Sequence, residues 1–319
     1  MKILVTGCAG FIGSNIVESL VDMGRFDIYG VDNLITGRQE NIKHLLDKFT
    51  FIRGDIRDQK ICARVTRGMD AVCHQAALPS VPRSVKDPIT SNEHNVGATV
   101  SLLNACVANN VERVVYASSS SIYGDNKIMP RKEDLLPMPK SPYAVSKLAG
   151  EYYMRAFNAT YGIDTVSLRY FNVFGPNQDP NSQYSAVVPR FMTAALKGIP
   201  VTIYGDGKQT RDFTFISNVV NANIIALTNS ENFDGIAMNI ACGKKYTVLK
   251  MLDIIEEIAG VDIDRKFVDT RVGDVRDSLA SISKARRKMG YVPTVDFKEG
   301  LNRALDYYKG WVDGARDSM

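Results

Sequence analysis

The chain has 319 residues, 45% of them apolar and 23% charged, with a formal net charge of +4 scattered over both signs. That is enough sequence for one large or two ordinary domains, and so mild a charge gives little support for nucleic-acid binding while suiting an acidic small-molecule substrate. Five widely spaced cysteines (Cys8, Cys62, Cys73, Cys106, Cys242) with no Cys-x-x-Cys, and three histidines with no nearby ligand partner, point to reduced thiols in a cytoplasmic protein and to no metal site.

The opening Met1–Gly7 reads as a strand entering a glycine turn, not as a signal peptide. No stretch approaches the roughly 18 apolar residues of a membrane span. Further strands are expected at Ile28–Asp32, Thr50–Arg53, Ala71–His74, Arg113–Ser118 and Asp164–Arg169, after the first at Lys2–Thr6. Several are nearly continuous apolar runs, as in strands buried on both faces of a parallel sheet. Helical patterns fill the intervals at Ile12–Met23, Gln59–Thr66, Ile89–Asn109 and Tyr143–Tyr161. This alternation predicts right-handed βαβ units and a doubly wound α/β sheet. After about Arg169 the rhythm changes. Pro176, Pro180 and Pro189 break a polar segment, turn glycines Gly205 and Gly207 follow, and a helix is expected near Leu249–Ala259. A smaller α/β domain over residues 171–319 is therefore expected beside a first domain over 1–170, with segments near 213–242 returning to the first sheet. Asp313–Met319 is expected to fray.

Thr6-Gly7-Cys8-Ala9-Gly10-Phe11-Ile12-Gly13 ends the first strand and opens the first helix. Glycines there permit a tight turn and close approach to a pyrophosphate, which the free N–H groups of the helix would hold. The Gly-x-x-Gly-x-x-Gly spacing differs by one residue from the commonest dinucleotide fingerprint, and a ligand-free glycine turn would look similar. Asp32 decides between them. It ends the second strand, where a carboxylate would bond both adenosine-ribose hydroxyls and repel a 2′-phosphate, so NAD is expected over NADP, although nearby Arg38 weakens that preference. Asn33 and Gly37 belong to the same end of the site. Asp55 and Ile56 are placed for an adenine contact, or Asp55 for a helix cap. Gln75, Ala76 and Ala77 would let a cofactor come close, whereas His74 reads as a partly buried histidine bonded to backbone.

Tyr143 and Lys147, at i and i+4, share one helix face, and Pro142 suits the helix start. A free tyrosine titrates near ~10. A lysine ammonium one turn away and a positive nicotinamide ring would both stabilise its phenolate. The run Ser118–Ser121 at the end of the fifth strand can orient a substrate hydroxyl and shuttle its proton.

These motifs, with Tyr123-Gly124-Asp125 and Arg169-Tyr170-Phe171-Asn172-Val173-Phe174-Gly175-Pro176, resemble the extended short-chain dehydrogenase/reductase family, in its NAD-dependent sugar-nucleotide epimerase/dehydratase branch. The resemblance covers nearly the whole chain. It implies a Rossmann sheet with a smaller α/β substrate domain, NAD contacts extended to Asn95, Tyr170 and Val173, and Ser119 as the catalytic serine. Dehydratases and decarboxylases of the branch carry an acid beside that serine, and Ala117-Ser118-Ser119-Ser120-Ser121 has none. Epimerisation at C4 through a 4-keto intermediate is therefore implied, with Ser120 and Ser121 helping to hold the sugar. Nucleotide-sugar contacts are implied for Asn172, Val187, Val188, Tyr204, Arg211, Arg271 and Asp274. Ser278 stands where hexose-only relatives carry a tyrosine, and it leaves room for an N-acetyl group; Ser80 and Arg83 resemble residues of N-acetylhexosamine epimerases. The implied activity is that of a UDP-hexose 4-epimerase acting on UDP-GlcNAc/UDP-GalNAc, with UDP-Glc/UDP-Gal as a further pair. The alternatives are a UDP-uronate 4-epimerase or decarboxylase, and a non-catalytic NAD sensor. The helical segments Ile89–Asn109 and Tyr143–Tyr161 imply a homodimer.

Overall fold

Seven strands, each pair parallel, form the central sheet of the computed structural model, which describes residues 1–180, 187–270 and 276–316. Six come in chain order from the first 170 residues: β1 Lys2–Thr6, β2 Asp27–Asp32, β3 Thr50–Arg53, β4 Ala71–His74, β5 Arg113–Ser119 and β6 Asp164–Tyr170. The seventh, Ile236–Ile240, pairs with β6 from Ile236↔Val166 to Ile240↔Tyr170. Across the sheet the order is Ile236–Ile240, β6, β5, β4, β1, β2, β3. The chain moves one way from β1 through β2 and β3, then crosses to β4 on the other side. That reversal leaves a crevice at the carboxyl ends of β1 and β4.

Alternation within each strand divides the core. Ile3, Val5, Cys73, Val115 and Ala117 join one buried cluster, and Leu4, Val72, Val114 and Tyr116 join the other. Helices α1 (Phe11–Asp22) and α2 (Gln59–Val65) are followed by α3 (Val81–Lys86), α4 (Pro88–Asn92), α5 (Ala98–Ala108) and α6 (Pro142–Tyr161). In the second half come α7 (Val187–Lys197), α8 (Ile216–Thr228), α9 (Val248–Ala259), α10 (Ser283–Met289) and α11 (Phe297–Arg316). Helices α1 and α8 pack together on one face of the sheet, and α2, α5 and α6 cover the other.

The smaller part combines α7, α9 and α11 with short strand pairs, Val201–Tyr204 beside Arg265–Val268 and Thr210–Arg211 beside Tyr246–Thr247. Its aromatic centre stacks Phe213 on Phe297, with centroids 4.6 Å apart, and sets Phe174 edge-on to Phe297 at 5.4 Å. Among the described residues no helix is long and apolar enough to cross a membrane.

Local chemistry explains the helix starts. Asp58 caps α2 by accepting from Lys60 N, and Ser141 caps α6 by accepting from Ala144 N, with Pro142 in the first turn. The helix expected over Ile89–Asn109 is present without interruption, as α4, wider π-type turns over Glu93–Gly97, and α5. The widening coincides with a tertiary contact. Asn95 turns inward, where its Oδ1 accepts from Leu78 N at 2.7 Å and its Nδ2 donates to Ser146 Oγ at 3.0 Å.

Candidate active site

The crevice is a cleft of ≈ 710 Å³. Its floor is the turn after β1. Gly7 adopts φ +67, and a Cβ there would stand 2.8 Å from the main chain of Ala76. A Cβ on Gly13 would stand 2.1 Å from the Gly7 carbonyl oxygen. Both positions therefore exclude side chains, and the backbone N–H groups opening α1 stay open to a ligand. Gly10, Phe11 and Ile12 line the same floor.

Asp32 forms the far end. Its oxygens accept from Ala9 N at 2.9 Å and Leu34 N at 2.8 Å, and burial pushes its carboxyl above the usual range despite those bonds. A Cβ on Gly37 would meet the carboxylate at 2.8 Å, so only glycine lets the loop pass over it. Asn33 donates to Asp55 at 3.0 Å, and Arg57 does so at 2.8 Å. Burial pushes the Asp55 carboxyl up, but these bonds outweigh it and hold the group well below the carboxylate range. The helix cap falls to Asp58 instead. Ile56, Gln75, Ala76 and Ala77 complete the walls, with Tyr170, whose hydroxyl donates to Asn223 Oδ1 at 2.9 Å. His74 is fully buried and bonded to two hydroxyls, Thr6 at 2.8 Å and Thr99 at 2.9 Å, rather than to backbone. Burial, with Lys147 nearby, pulls its pKa down to about 3, so it stays neutral. A side-chain-free turn for a pyrophosphate and a buried carboxylate for a ribose fit NAD.

Tyr143 and Lys147 line the other end of the cleft. Tyr143 N donates to the buried Ser84 Oγ at 3.0 Å, which fixes the first turn of α6. Burial pushes the phenol above its ordinary pKa, and a hydrogen bond with Ser119 works against that. Lys147 is buried, donates to the Ala117 carbonyl at 2.8 Å, and lies 5.0 Å from the centre of the Tyr116 ring. Burial pulls it down to about 7. Ser119 ends β5, and its Oγ accepts from Ser121 N at 3.2 Å and Ser121 Oγ at 2.9 Å, closing the turn Ser120–Tyr123.

Ser80 and Arg83 also reach the cleft. Ser80 has φ 132 and caps α3 by accepting from Arg83 N at 3.2 Å. Such a backbone is uncommon outside glycine and tends to persist at functional sites. The remaining expected contacts lie outside the cleft lining. Asn95 is spent on Leu78 and Ser146. Val173 sits in a short strand beside Thr214. Asn172, with φ 35, donates to the Asp212 carbonyl at 3.0 Å. Val188 is buried in the smaller core, with Val187 packed against it. Arg211 donates to the carbonyls of Thr210 and Arg276, and Ser278 N donates to Thr210 O at 3.1 Å. Tyr204 ends the strand Val201–Tyr204 in the same part. Arg271 and Asp274 lie outside the described residues.

Two groups were not anticipated. Asn177, Gln178 and Asp179 line the cleft, tied down where Asn177 Nδ2 donates to Ser14 Oγ at 3.1 Å. Glu151 and Arg169 form a buried pair behind the serine turn. The spacing of Glu151, one more turn beyond Lys147, and the arginine at the end of the expected strand Asp164–Arg169 were the available signals.

Residues 3–241 match the NAD dependent epimerase/dehydratase family. A putative UDP-glucose 4-epimerase of Methanocaldococcus jannaschii is 37% identical over 309 residues, covering 96% of this chain and 98% of that protein. The structure of a UDP-N-acetylglucosamine 4-epimerase from Methanobrevibacter ruminantium M1, in complex with UDP-N-acetylmuramic acid, superposes with a TM-score of 0.92 at 40% identity, covering 97% of this chain and 98% of that one. The UDP-glucuronic acid 4-epimerase from Bacillus cereus, with UDP-glucuronic acid and NAD, gives a TM-score of 0.91 at 36% identity, with 98% and 100% covered. With its glycine turn, buried ribose carboxylate and Tyr143–Lys147 pair in one cleft, this chain belongs to the NAD-dependent epimerase/dehydratase family.

Proposed function

We propose that the enzyme is a UDP-hexose 4-epimerase that inverts C4 through a transient 4-keto sugar, accepting UDP-GlcNAc/UDP-GalNAc and also UDP-Glc/UDP-Gal. The observation that carries this reading is the serine turn beside Tyr143 and Lys147, which has no carboxylate in its own sequence. Glu151, which receives the Ser118 hydroxyl, is held by both nitrogens of an arginine fork and is not free to act on substrate. Elimination therefore lacks its acid, and return of the hydride is the remaining easy course.

When bound, NAD supplies the acceptor and later the donor of the C4 hydride. Gly7, Gly10 and Gly13 would hold its pyrophosphate, and Asp32 its adenosine ribose. Tyr143 takes the C4 hydroxyl proton, directly or through Ser119, and later returns it. In so buried a site the phenolate needs a compensating positive charge, and Lys147 provides one from the next turn of α6. Ser120 and Ser121 steady the sugar. Ser80 and Arg83 supply further polar groups from the cleft lining. Asn172, Val187, Val188, Tyr204, Arg211, Arg271 and Asp274 are proposed for the nucleotide, where arginine forks suit diphosphate oxygens.

The small side chain of Ser278 supports the acetylated substrates. The Bacillus cereus relative makes a uronate the alternative. Product NMR on a panel of nucleotide sugars tests both: an inverted C4 with an intact N-acetylhexose supports the proposal, and turnover confined to uronates or release of carbon dioxide overturns it. Ser278→Tyr should lose acetylated substrates first, and an equal loss on both sugar pairs would remove the pocket argument.

The exposed apolar residues Ile89 on α4 and Val145 and Tyr152 on α6 support a homodimer. The five free cysteines, four of them buried, fit a cytoplasmic setting.

A further inference from the structure

Behind the serine turn lies an ion pair that the proposed chemistry does not touch. Glu151 follows Lys147 by one turn on the inner face of α6, as Lys147 follows Tyr143. Its carboxylate accepts from Arg169 on β6, Nε at 2.9 Å and Nη2 at 2.8 Å, and both side chains are 6% exposed. It also receives the hydroxyl of Ser118, the residue before Ser119. Arg169 continues outward, donating through Nη1 to Tyr123 Oη at 2.8 Å and to the Glu133 carbonyl at 3.3 Å. Tyr123 in turn donates to Asn239 Oδ1 at 2.7 Å. The serine turn is thus gripped at both ends, Ser118 by Glu151 and Tyr123 by Arg169. One of those grips belongs to the helix that carries Tyr143 and Lys147.

A buried pair of this kind contributes little net stability, because desolvation consumes most of the Coulomb gain. Its geometric effect is larger. It ties the helix bearing the base to the strand end bearing the serine, and a fully satisfied polar network holds one arrangement where apolar contacts would tolerate several. Neither residue lines the cleft.

We propose that Glu151 and Arg169 are positioning residues: together they set the register between α6 and the serine turn, so that the Ser119 hydroxyl meets the Tyr143 phenol. The inference rests on Tyr143, Lys147 and Ser119 being the reacting set.

The test uses the NAD-loaded enzyme. In E151M/R169M both charges leave together, so the protein should fold with the parent's cofactor content and a Tm within a few degrees of it. Its kcat should fall by about tenfold or more with KM within about twofold, because misplacement costs turnover rather than binding. The alkaline shift of the pH at half-maximal kcat should report a phenol that has lost its Ser119 partner. R169K keeps the charge but not the fork and should show the same kcat–KM split to a smaller degree; it decides the matter if the double variant does not fold. A pair variant with kcat within about twofold of the parent overturns the proposal, as does a loss that merely tracks cofactor content or Tm. Y143F separates the two levels. Parent turnover in Y143F removes the reading of the site and the proposal with it, whereas an inactive Y143F beside a fully active pair variant removes the proposal alone.

Discussion

The ammonium of Lys147 donates to the main-chain carbonyl of Ala117 at 2.8 Å, at the end of the strand that carries Ser119. One neutral acceptor is poor compensation for burying a charge, and the lysine's pKa is pulled down to about 7. The charged form is thus disfavoured in the folded protein. The cost is fully present below pH 7, declines as pH rises through 7, and is gone above the unfolded value near ~10.4. Lys147→Met should therefore melt higher than the parent at pH 6 in cofactor-free protein, with the gain shrinking toward pH 10. Turnover should be lost throughout. Thermal melts across that range check the sign; a variant less stable at pH 6 than at pH 10, relative to parent, would contradict it.

Gly13→Ala places a methyl group against the Gly7 carbonyl, where the approach would be 2.1 Å before any shift. Since the neighbour is backbone, the turn itself must open. The purified variant should carry less NAD than the parent, read from its absorbance ratio, and bind added NAD about tenfold or more weakly by calorimetry.

Arg38 lines the cleft and also stacks its guanidinium 4.7 Å over the ring of Trp311, with Asp179 at 3.7 Å. Because the chain has one tryptophan, its emission reports on the surroundings of Trp311, where Arg38 and Tyr307 both lie near the ring. Titrating NAD into cofactor-free protein should change Trp311 fluorescence, and Arg38→Ala should remove most of that change. Unaltered emission in the parent would show that the cofactor does not reach this end of the cleft.

Asp212 is fully buried and gathers the smaller part of the fold, its carboxylate accepting at 3.1 Å from each of Cys242 N, Gly243 N and Ala280 N. In Asp212→Asn the amide nitrogen faces donors it cannot accept from. Leaving even one or two buried N–H groups unpaired, at about 1–3 kcal/mol each, should lower Tm by about 5 °C or more.

Strands β1, β4 and β5 were legible because they are buried on both faces and carry apolar runs, and β1, β3 and β4 begin and end where the sequence suggests. The glycine turn, Asp32 and the Tyr143–Lys147 spacing were legible because their chemistry is local. What was not legible depends on partners distant in sequence. The π-type turns after α4 form where Asn95 reaches Leu78, and the Arg169–Glu151 pair exists only because β6 runs beside α6. Likewise, the sequence left Asp55 open between an adenine contact and a helix cap; the cap falls to Asp58, and Asp55 lines the cleft, held by Arg57 and Asn33.

The central claim is that the hydride removed from C4 comes back to the same sugar. The most direct measurement follows UDP-N-acetylglucosamine deuterated at C4 through turnover in ordinary water, with the product read by NMR and mass spectrometry. The account predicts UDP-N-acetylgalactosamine that keeps its deuterium at C4. Epimer formed with the label lost to solvent would contradict it.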